Sequence, residues 1–291
     1  MDAIGTGLRE LLRAVADQTM HLPSFDANLR LTKAALPCER MGVDGVHQGP
    51  VEIENDSTHL FRIPDNPRMY PTVTLFDVDN TLLDNDRVVA DLMRFMDREL
   101  GQERQQDYWG IFEALRRELG YADYLGALQR YRSVHPRDSH VLTVSQFLVN
   151  YPFANRLFPA SLDAVDHART WGPAVILSDG DVVFQPRKIE RSGLLETVER
   201  NILIYVHKEL ELEDVEQRYP AERYIVVDDK LWLLHAIKQY WGPRVTTVWP
   251  RQGHYVNDER VKTLPGPDVT LERIGELIDW PLPRLLQATR P

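Results

Sequence analysis

The sequence predicts an α/β fold: a parallel sheet covered by helices on both faces and interrupted by a helical insertion. Three observations carry this. Short apolar runs rich in β-branched and aromatic residues recur at 72–76, 174–177, 202–206, 224–227 and 245–249. Amphipathic stretches of helical length separate most of them, which is the alternation of a sheet buried on both sides. The first two runs are parted by roughly 95 residues, far more than a strand–helix–strand crossover needs.

Taken in order, residues 1–68 stand apart. Leu8, Leu11, Leu12 and Val15 share one face of a short helix, followed by a stretch rich in Pro, Gly, Asp and Asn without a sustained period. This segment is expected to be a poorly ordered N-terminal extension, with the compact protein beginning at Met69. The first strand follows Pro71 and ends at Asp77.

The long gap has helical spacing throughout. Val88, Leu92, Phe95 and Met96 form one apolar stripe, and Trp109, Phe112, Leu115 and Leu119 form the next. Stretches 121–131 and 144–149 continue the pattern, defining a helical insertion over 88–151. Of its cations, Arg116, Arg117, Arg130, Arg132, His135 and Arg137, most are expected on a solvated face. Arg130 and Arg132 are the candidates to reach a ligand, because Tyr124 and Tyr131 share their segment.

The chain returns to the core at Leu157-Phe158-Pro159, so the core comprises 69–87 and 152–280. Helices are expected at 162–168, at 184–193 with Gly193 as the stop, and at 231–240 with Gly242-Pro243 as the stop. Val269 and 271–278 close the core, and Pro281 and Pro283 are expected to loosen a tail over 281–291.

Composition sets outer bounds. Hydrophobic content of 43% and charged content of 27% are ordinary for a globular chain, and no apolar run is long enough to span a bilayer. A net charge of −10 argues against general nucleic-acid binding. No secretory signal is recognisable, and the single Cys38 suits a reducing compartment, so the cytoplasm is expected. Trp171, Trp232, Trp241 and Trp249 fit a core or an interface equally, which leaves the oligomeric state open.

The chemistry concentrates at the ends of the apolar runs, where ligands bind in parallel α/β sheets. Asp77 and Asp79 close the first run within Asp77-Val78-Asp79-Asn80-Thr81. Two carboxylates so placed must bind a cation or share a proton, whereas a purely structural role as a helix cap needs only one. Ser178-Asp179-Gly180 closes the second run, His207-Lys208 follows the third, and Asp228-Asp229 closes the fourth. Singly, Ser178 could cap a helix, Lys208 could be a solvated lysine and Asp228-Asp229 could be a helix-capping pair.

Together and in this order, the four elements resemble the motifs of the haloacid dehalogenase (HAD) superfamily, phosphatase type with a C1 helical cap, over roughly residues 70–280. The resemblance implies a Rossmannoid three-layer α/β/α core with a parallel sheet, and a helical cap in the long gap that excludes water and selects the leaving group. It implies a magnesium-dependent phosphomonoesterase acting on a small phosphorylated metabolite through an aspartyl-phosphate. Asp77 would be the nucleophile. Asp79 would be the acid that protonates the leaving oxygen and then the base that activates water, with a neighbouring carboxylate helping it to hold a proton.

By the same resemblance, Mg2+ would be held by Asp77, the backbone carbonyl of Asp79, and Asp229. Asp228 would hold a metal-bound water or Lys208, the order of the two acids being left open. Ser178 and the amides of Asp179 and Gly180 would contact the phosphate, and Lys208 would supply positive charge between nucleophile and phosphate. Lys188 is a rival for that lysine, but it lies in a helical stretch well before the third run. The chain departs from the family at Asp179, where Asn is frequent, and Asp181 adds to the negative charge; Asp179 is expected either to point away from the phosphate site or to pair, with Arg187 and Lys188 as candidate partners. A phosphotransferase or mutase would use the same residues. A dehalogenase has no use for Asp79 or a cation, and a non-catalytic binding protein would not need all four elements.

Overall fold

The computed structural model describes residues 69–290. The expected N-terminal extension and its short helix lie outside the described residues.

Six strands form one all-parallel sheet: β1 (Tyr70–Phe76), β2 (Ala174–Asp179), β3 (Ile202–Tyr205), β4 (Ala221–Val227), β5 (Val245–Pro250) and β6 (Val269–Leu271). Their order is β3-β2-β1-β4-β5-β6, so the strand carrying Asp77 is central. Its register sets Phe76 beside Ile176 on one neighbour and beside Val227 on the other. The motif residues that follow these strands therefore emerge side by side along one edge of the sheet.

Alternation along each strand divides the core into two layers. Phe76, Ile176, Val227 and Val248 point to one face, while Val73, Leu75, Val175, Leu177, Tyr224 and Val226 point to the other. Both sets are fully buried, which is why the strands read as continuous apolar runs rather than alternating ones. Each such side chain contributes about 1.5–3 kcal/mol by leaving water.

Four helices fill the long gap: α1 (Asn85–Leu100), α2 (Gln102–Leu119), α3 (Tyr124–Val134) and α4 (His140–Asn150). The predicted stripes face inward, with Val88, Leu92, Met96, Phe112 and Leu115 buried. The interior of this helical block is continuous with the first face of the sheet. The first helix starts three residues earlier than the apolar pattern because Asp84 caps it, accepting from the Arg87 backbone N–H at 3.0 Å.

The core helices are α5 (Ser161–Arg169), α6 (Phe184–Ser192), the single turn α7 (Leu194–Thr197), α8 (Leu212–Arg218) and α9 (Leu231–Trp241). Two tryptophans left open by sequence are internal: Trp241 stacks on Tyr224 at 4.2 Å, and Trp249 is buried.

The tail differs from expectation. Residues Leu282–Gln287 form a helix, α10, that seats Leu285 in the core. Pro281 precedes the helix and Pro283 lies in its first turn, where a missing N–H removes no helical hydrogen bond, so these prolines start a helix rather than loosen a tail. No helix among the described residues is long and apolar enough to cross a membrane.

Candidate active site

The first strand hands directly into the site. Asp77 continues the ladder, its N–H donating to Val227 O at 3.0 Å. The chain then folds back on itself: Leu82 and Leu83 N–H donate to Val78 O at 3.0 and 2.9 Å. This turn needs a residue in the left-handed region, and Asn80 takes it with φ 61. The Asn80 side chain also accepts from the N–H groups of Asn85 and Asp86, fixing the turn to the start of α1.

Thr81 joins the first and fourth motifs. Its hydroxyl donates to Asp77 Oδ2 at 3.1 Å and accepts from the Asp229 N–H at 3.0 Å. Gln252 braces the same turn, donating to Thr81 O at 3.1 Å while accepting from Ile274 N–H.

Lys208, which follows the edge strand β3, reaches between the motifs that follow β1 and β4. Its Nζ, on a side chain only 1% exposed, is 2.5 Å from Asp77 Oδ1 and 2.7 Å from Asp228 Oδ2, and it donates to Leu177 O at 3.2 Å. Asp77, Asp228 and Asp229 bring carboxylate oxygens within 4.8 Å of one another, all buried. Asp228 is further engaged by the Lys230 N–H, whereas both carboxylate oxygens of Asp229 are buried without a hydrogen-bond partner.

The electrostatics follow from this crowding. Burial alone would lower the Lys208 pKa, but Asp228, Asp77 and Asp179 together hold it well above the ordinary lysine value. Burial pushes Asp228 up to about 6, with the Asp77 charge adding and Lys208 opposing. Burial, then the Asp228 and Asp77 charges, drives Asp229 well above the carboxylate range. The shifts of Lys208 and Asp228 pull in opposite senses on their ion pair. The charged ammonium is the firmer of the two, because several carboxylates converge on it, while Asp228 shares one cation with its neighbours.

Asp79 turns away from this cluster. Its Oδ1 is 2.6 Å from the Nζ of Lys188, a lysine 1% exposed on α6, while Asp79 itself is 30% exposed. The charge beside Asp79 is thus an ammonium rather than the neighbouring carboxylate expected from sequence. Lys188 Nζ also donates to Asn85 Oδ1 at 3.2 Å.

Ser178 is buried at the end of β2, and its hydroxyl accepts from Gln185 Nε2 at 2.8 Å. Asp179 does not pair with Arg187 or Lys188. It accepts from the Lys208 backbone N–H at 2.9 Å and lies 3.6 Å from Lys230 Nζ. Arg187 instead reaches Glu190 and Val149 O. Asp181 braces the turn before α6, accepting from the N–H groups of Val183 and Phe184. The Gly180 N–H donates to Tyr205 O at 3.1 Å, so this amide is already engaged.

In the helical block, Arg130 is tied to Glu118 by two hydrogen bonds of 2.7 and 2.8 Å at an exposed site, and Arg132 is exposed. The cation of the block that reaches the core is Arg116, which donates to the Tyr255 hydroxyl at 2.7 Å. Sequence reasoning also passed over Gln185, Asn85, Lys230 and Thr81 as site residues. Thr81 was legible as the last position of the first motif; the others are visible only once their elements are packed.

Comparison with known proteins agrees with this architecture. The chain is 58% identical to a protein from Burkholderia xenovorans LB400 assigned to the haloacid dehalogenase-like hydrolases, over 73% of this chain and 99% of that one, with a TM-score of 0.70. The chain belongs to the HAD-like hydrolases. A haloacid dehalogenase-like family hydrolase from Xanthomonas campestris shares the fold at 18% identity, covering 78% of this chain and 97% of that one, with a TM-score of 0.52. An L-2-haloacid dehalogenase shares it at 14% identity, covering 73% and 99%, with a TM-score of 0.50. No protein-family model and no curated protein matches the chain.

Proposed function

We propose that this HAD-like hydrolase is a magnesium-dependent phosphomonoesterase acting on a small phosphorylated metabolite. The observation that carries the reading is Asp229: two buried carboxylate oxygens without partners, beside Asp77 and Asp228. Buried polar groups are normally satisfied, and an unpaired buried carboxylate is among the costliest to leave bare. Around the site five carboxylates (Asp77, Asp79, Asp179, Asp228 and Asp229) face three ammonium groups (Lys188, Lys208 and Lys230). With every carboxylate ionised the surplus is two negative charges, offered by hard oxygen donors, which suits one magnesium ion in place of the protons that Asp228 and Asp229 otherwise hold.

Asp77, Asp229 and the backbone carbonyl of Asp79 would hold the ion, with Asp228 engaged mainly by Lys208. Bound there, the ion supplies positive charge that lets an anionic carboxylate meet an anionic phosphate. The protein's own groups do the rest. Asp77 attacks phosphorus through Oδ2, the oxygen not taken by Lys208, and forms an aspartyl-phosphate. Lys208 and the Ser178 hydroxyl bind phosphate oxygens. Asp79 protonates the leaving oxygen and then takes a proton from the attacking water. The helical block serves as the cap over 88–151.

Dehalogenation at carbon is the competing chemistry within the family. It needs no cation, so it would leave Asp229 uncompensated and give Asp79 no task. A phosphotransferase or mutase uses the same groups and differs only in how well water is excluded. The deciding experiment measures phosphate release from a panel of phosphorylated metabolites, with magnesium and with EDTA, in wild type and Asp77→Asn. Magnesium-dependent release lost in the variant supports the reading. Halide release from 2-haloacids that is indifferent to EDTA, with no phosphate release, overturns it.

A further inference from the structure

We propose that Lys188 is the positioning residue for Asp79: it grips Oδ1 so that the proton passed to the leaving group is carried on Oδ2. This rests on the phosphomonoesterase reading. Lys188 is not the family's motif lysine, because Lys208 already occupies the place between Asp77 and Asp228.

The grip is built from three elements. Lys188 lies on α6 with its ammonium 5.2 Å from the centre of the Phe184 ring, one helical turn away. The ammonium donates to Asp79 Oδ1 at 2.6 Å and to Asn85 Oδ1 at 3.2 Å. Asn85 opens α1 and is itself fixed, its N–H donating to Asn80 Oδ1 at 3.0 Å and its Nδ2 to the Tyr124 hydroxyl at 3.5 Å. Tyr124 stacks on Phe112 at 4.7 Å and packs on Phe184 at 5.3 Å. The Asp79 carboxylate is thus oriented by the turn after β1, by α6 and by the helical block together.

The asymmetry of the pair gives the grip its function. The lysine is 1% exposed, yet its partner is 30% exposed. Among the described residues, only Oδ1 of Asp79 has a hydrogen-bond partner, and that partner is a donor. With Oδ1 held by the ammonium, Oδ2 is the oxygen left to give and take the proton. As Asp77 bonds to phosphorus, the bond from phosphorus to the leaving oxygen breaks, its electron pair stays on that oxygen, and the Oδ2 proton joins it to give the alcohol. In the second step, water oxygen bonds to phosphorus, its proton goes to Oδ2, and the phosphorus–Asp77 bond breaks to release inorganic phosphate and the free Asp77 carboxylate.

The test compares kcat/KM for an alkyl phosphate, whose leaving oxygen must be protonated, with that for p-nitrophenyl phosphate, whose leaving group departs as a stable anion. Wild type, Lys188→Met, Lys188→Arg, Asp79→Asn and the Asp79→Asn/Lys188→Met double variant are assayed with magnesium, and folding is checked by thermal melts. Lys188→Met is expected to lower the alkyl value by about 100-fold or more, and the aryl value at least about tenfold less than that. Lys188→Arg is expected to recover part of the alkyl rate. In the Asp79→Asn background the lysine change should add less than about threefold, since two residues acting through one group are not additive. Equal losses on both substrates, or additive losses in the double variant, overturn the inference while leaving the phosphomonoesterase reading in place. A folded wild type that releases phosphate from neither ester overturns that reading and this one with it. If Lys188→Met does not fold, Lys188→Gln carries the same comparison.

Discussion

Two buried lysines flank the carboxylates at the strand ends, and the charge around them differs. Lys208 bridges Asp77 and Asp228, with Asp229 beside them, so acids outnumber the ammonium. Lys188 faces Asp79 alone, one charge to one charge. An unbalanced buried cluster is incomplete by itself and calls for a further cation. A balanced pair asks for nothing more, and what it supplies is direction.

The largest expected effect breaks the unbalanced side. Asp77→Asn should reduce turnover by about 1,000-fold or more while leaving the melting curve close to wild type, because the change is nearly isosteric. Substantial residual turnover in a steady-state phosphate-release assay would exclude Asp77 as nucleophile. Lys208→Met should cost about 3–5 kcal/mol in urea unfolding, since it strands the buried carboxylates of Asp77 and Asp228. Lys188→Met should cost clearly less, because Asp79 can turn to water. Equal costs would erase the distinction between the two lysines.

Magnesium sharpens the same comparison. At about 100 times its dissociation constant, it should stabilise the protein by about 2.7 kcal/mol. At one fixed magnesium concentration the gain should be larger at pH 7.5 than at pH 5, because protons compete with the ion for the same carboxylates. Asp228 is raised to about 6 and Asp229 well above its ordinary value, so the metal-free folded protein holds protons there that the unfolded chain has released. For acids raised in this way, the metal-free protein loses stability as pH climbs from the unfolded value near 4 through the folded one, and the ion removes that cost by replacing the protons. Melting with and without magnesium at the two pH values checks this. Asp229→Asn should abolish most of the gain and Asp79→Asn should keep most of it. The smallest effect is Arg130→Ala, which removes an exposed pair with Glu118 and should leave both the melting temperature and kcat/KM close to wild type.

Much of this was legible in the residue pattern because each motif closes an apolar run, and a strand buried on both faces leaves a distinct signature. Asp77, Ser178, Lys208 and Asp228-Asp229 stand at the ends of those runs, and their joint resemblance to the family's motifs singled them out. Lys188 was harder. It sits four residues after Phe184 on a helix, and a lysine on a buried stripe is recognisable only when the depth of burial is known. The partner of Asp179 was misjudged for a related reason. Lys230 is distant in sequence but comes within reach because only β1 separates β2 from β4, whereas Arg187 and Lys188 are near in sequence and directed elsewhere. The tail departs from the expectation because prolines break a helix only in its interior and are tolerated in its first turn, and the buried Leu285 holds this helix on the core.

The central place of β1 has a consequence for how the protein comes to exist. Tyr70 pairs with Ala221 and Phe76 with Val227, partners separated by roughly 150 residues, among the slowest kind of contact to form. A chain emerging from the ribosome can complete its helical block well before β4 is made. Asp77 then waits without Asp229 or the backbone that orients it through Thr81. The catalytic centre is thus a late product of folding, and chains truncated before β4 should be inert even where their helices have formed.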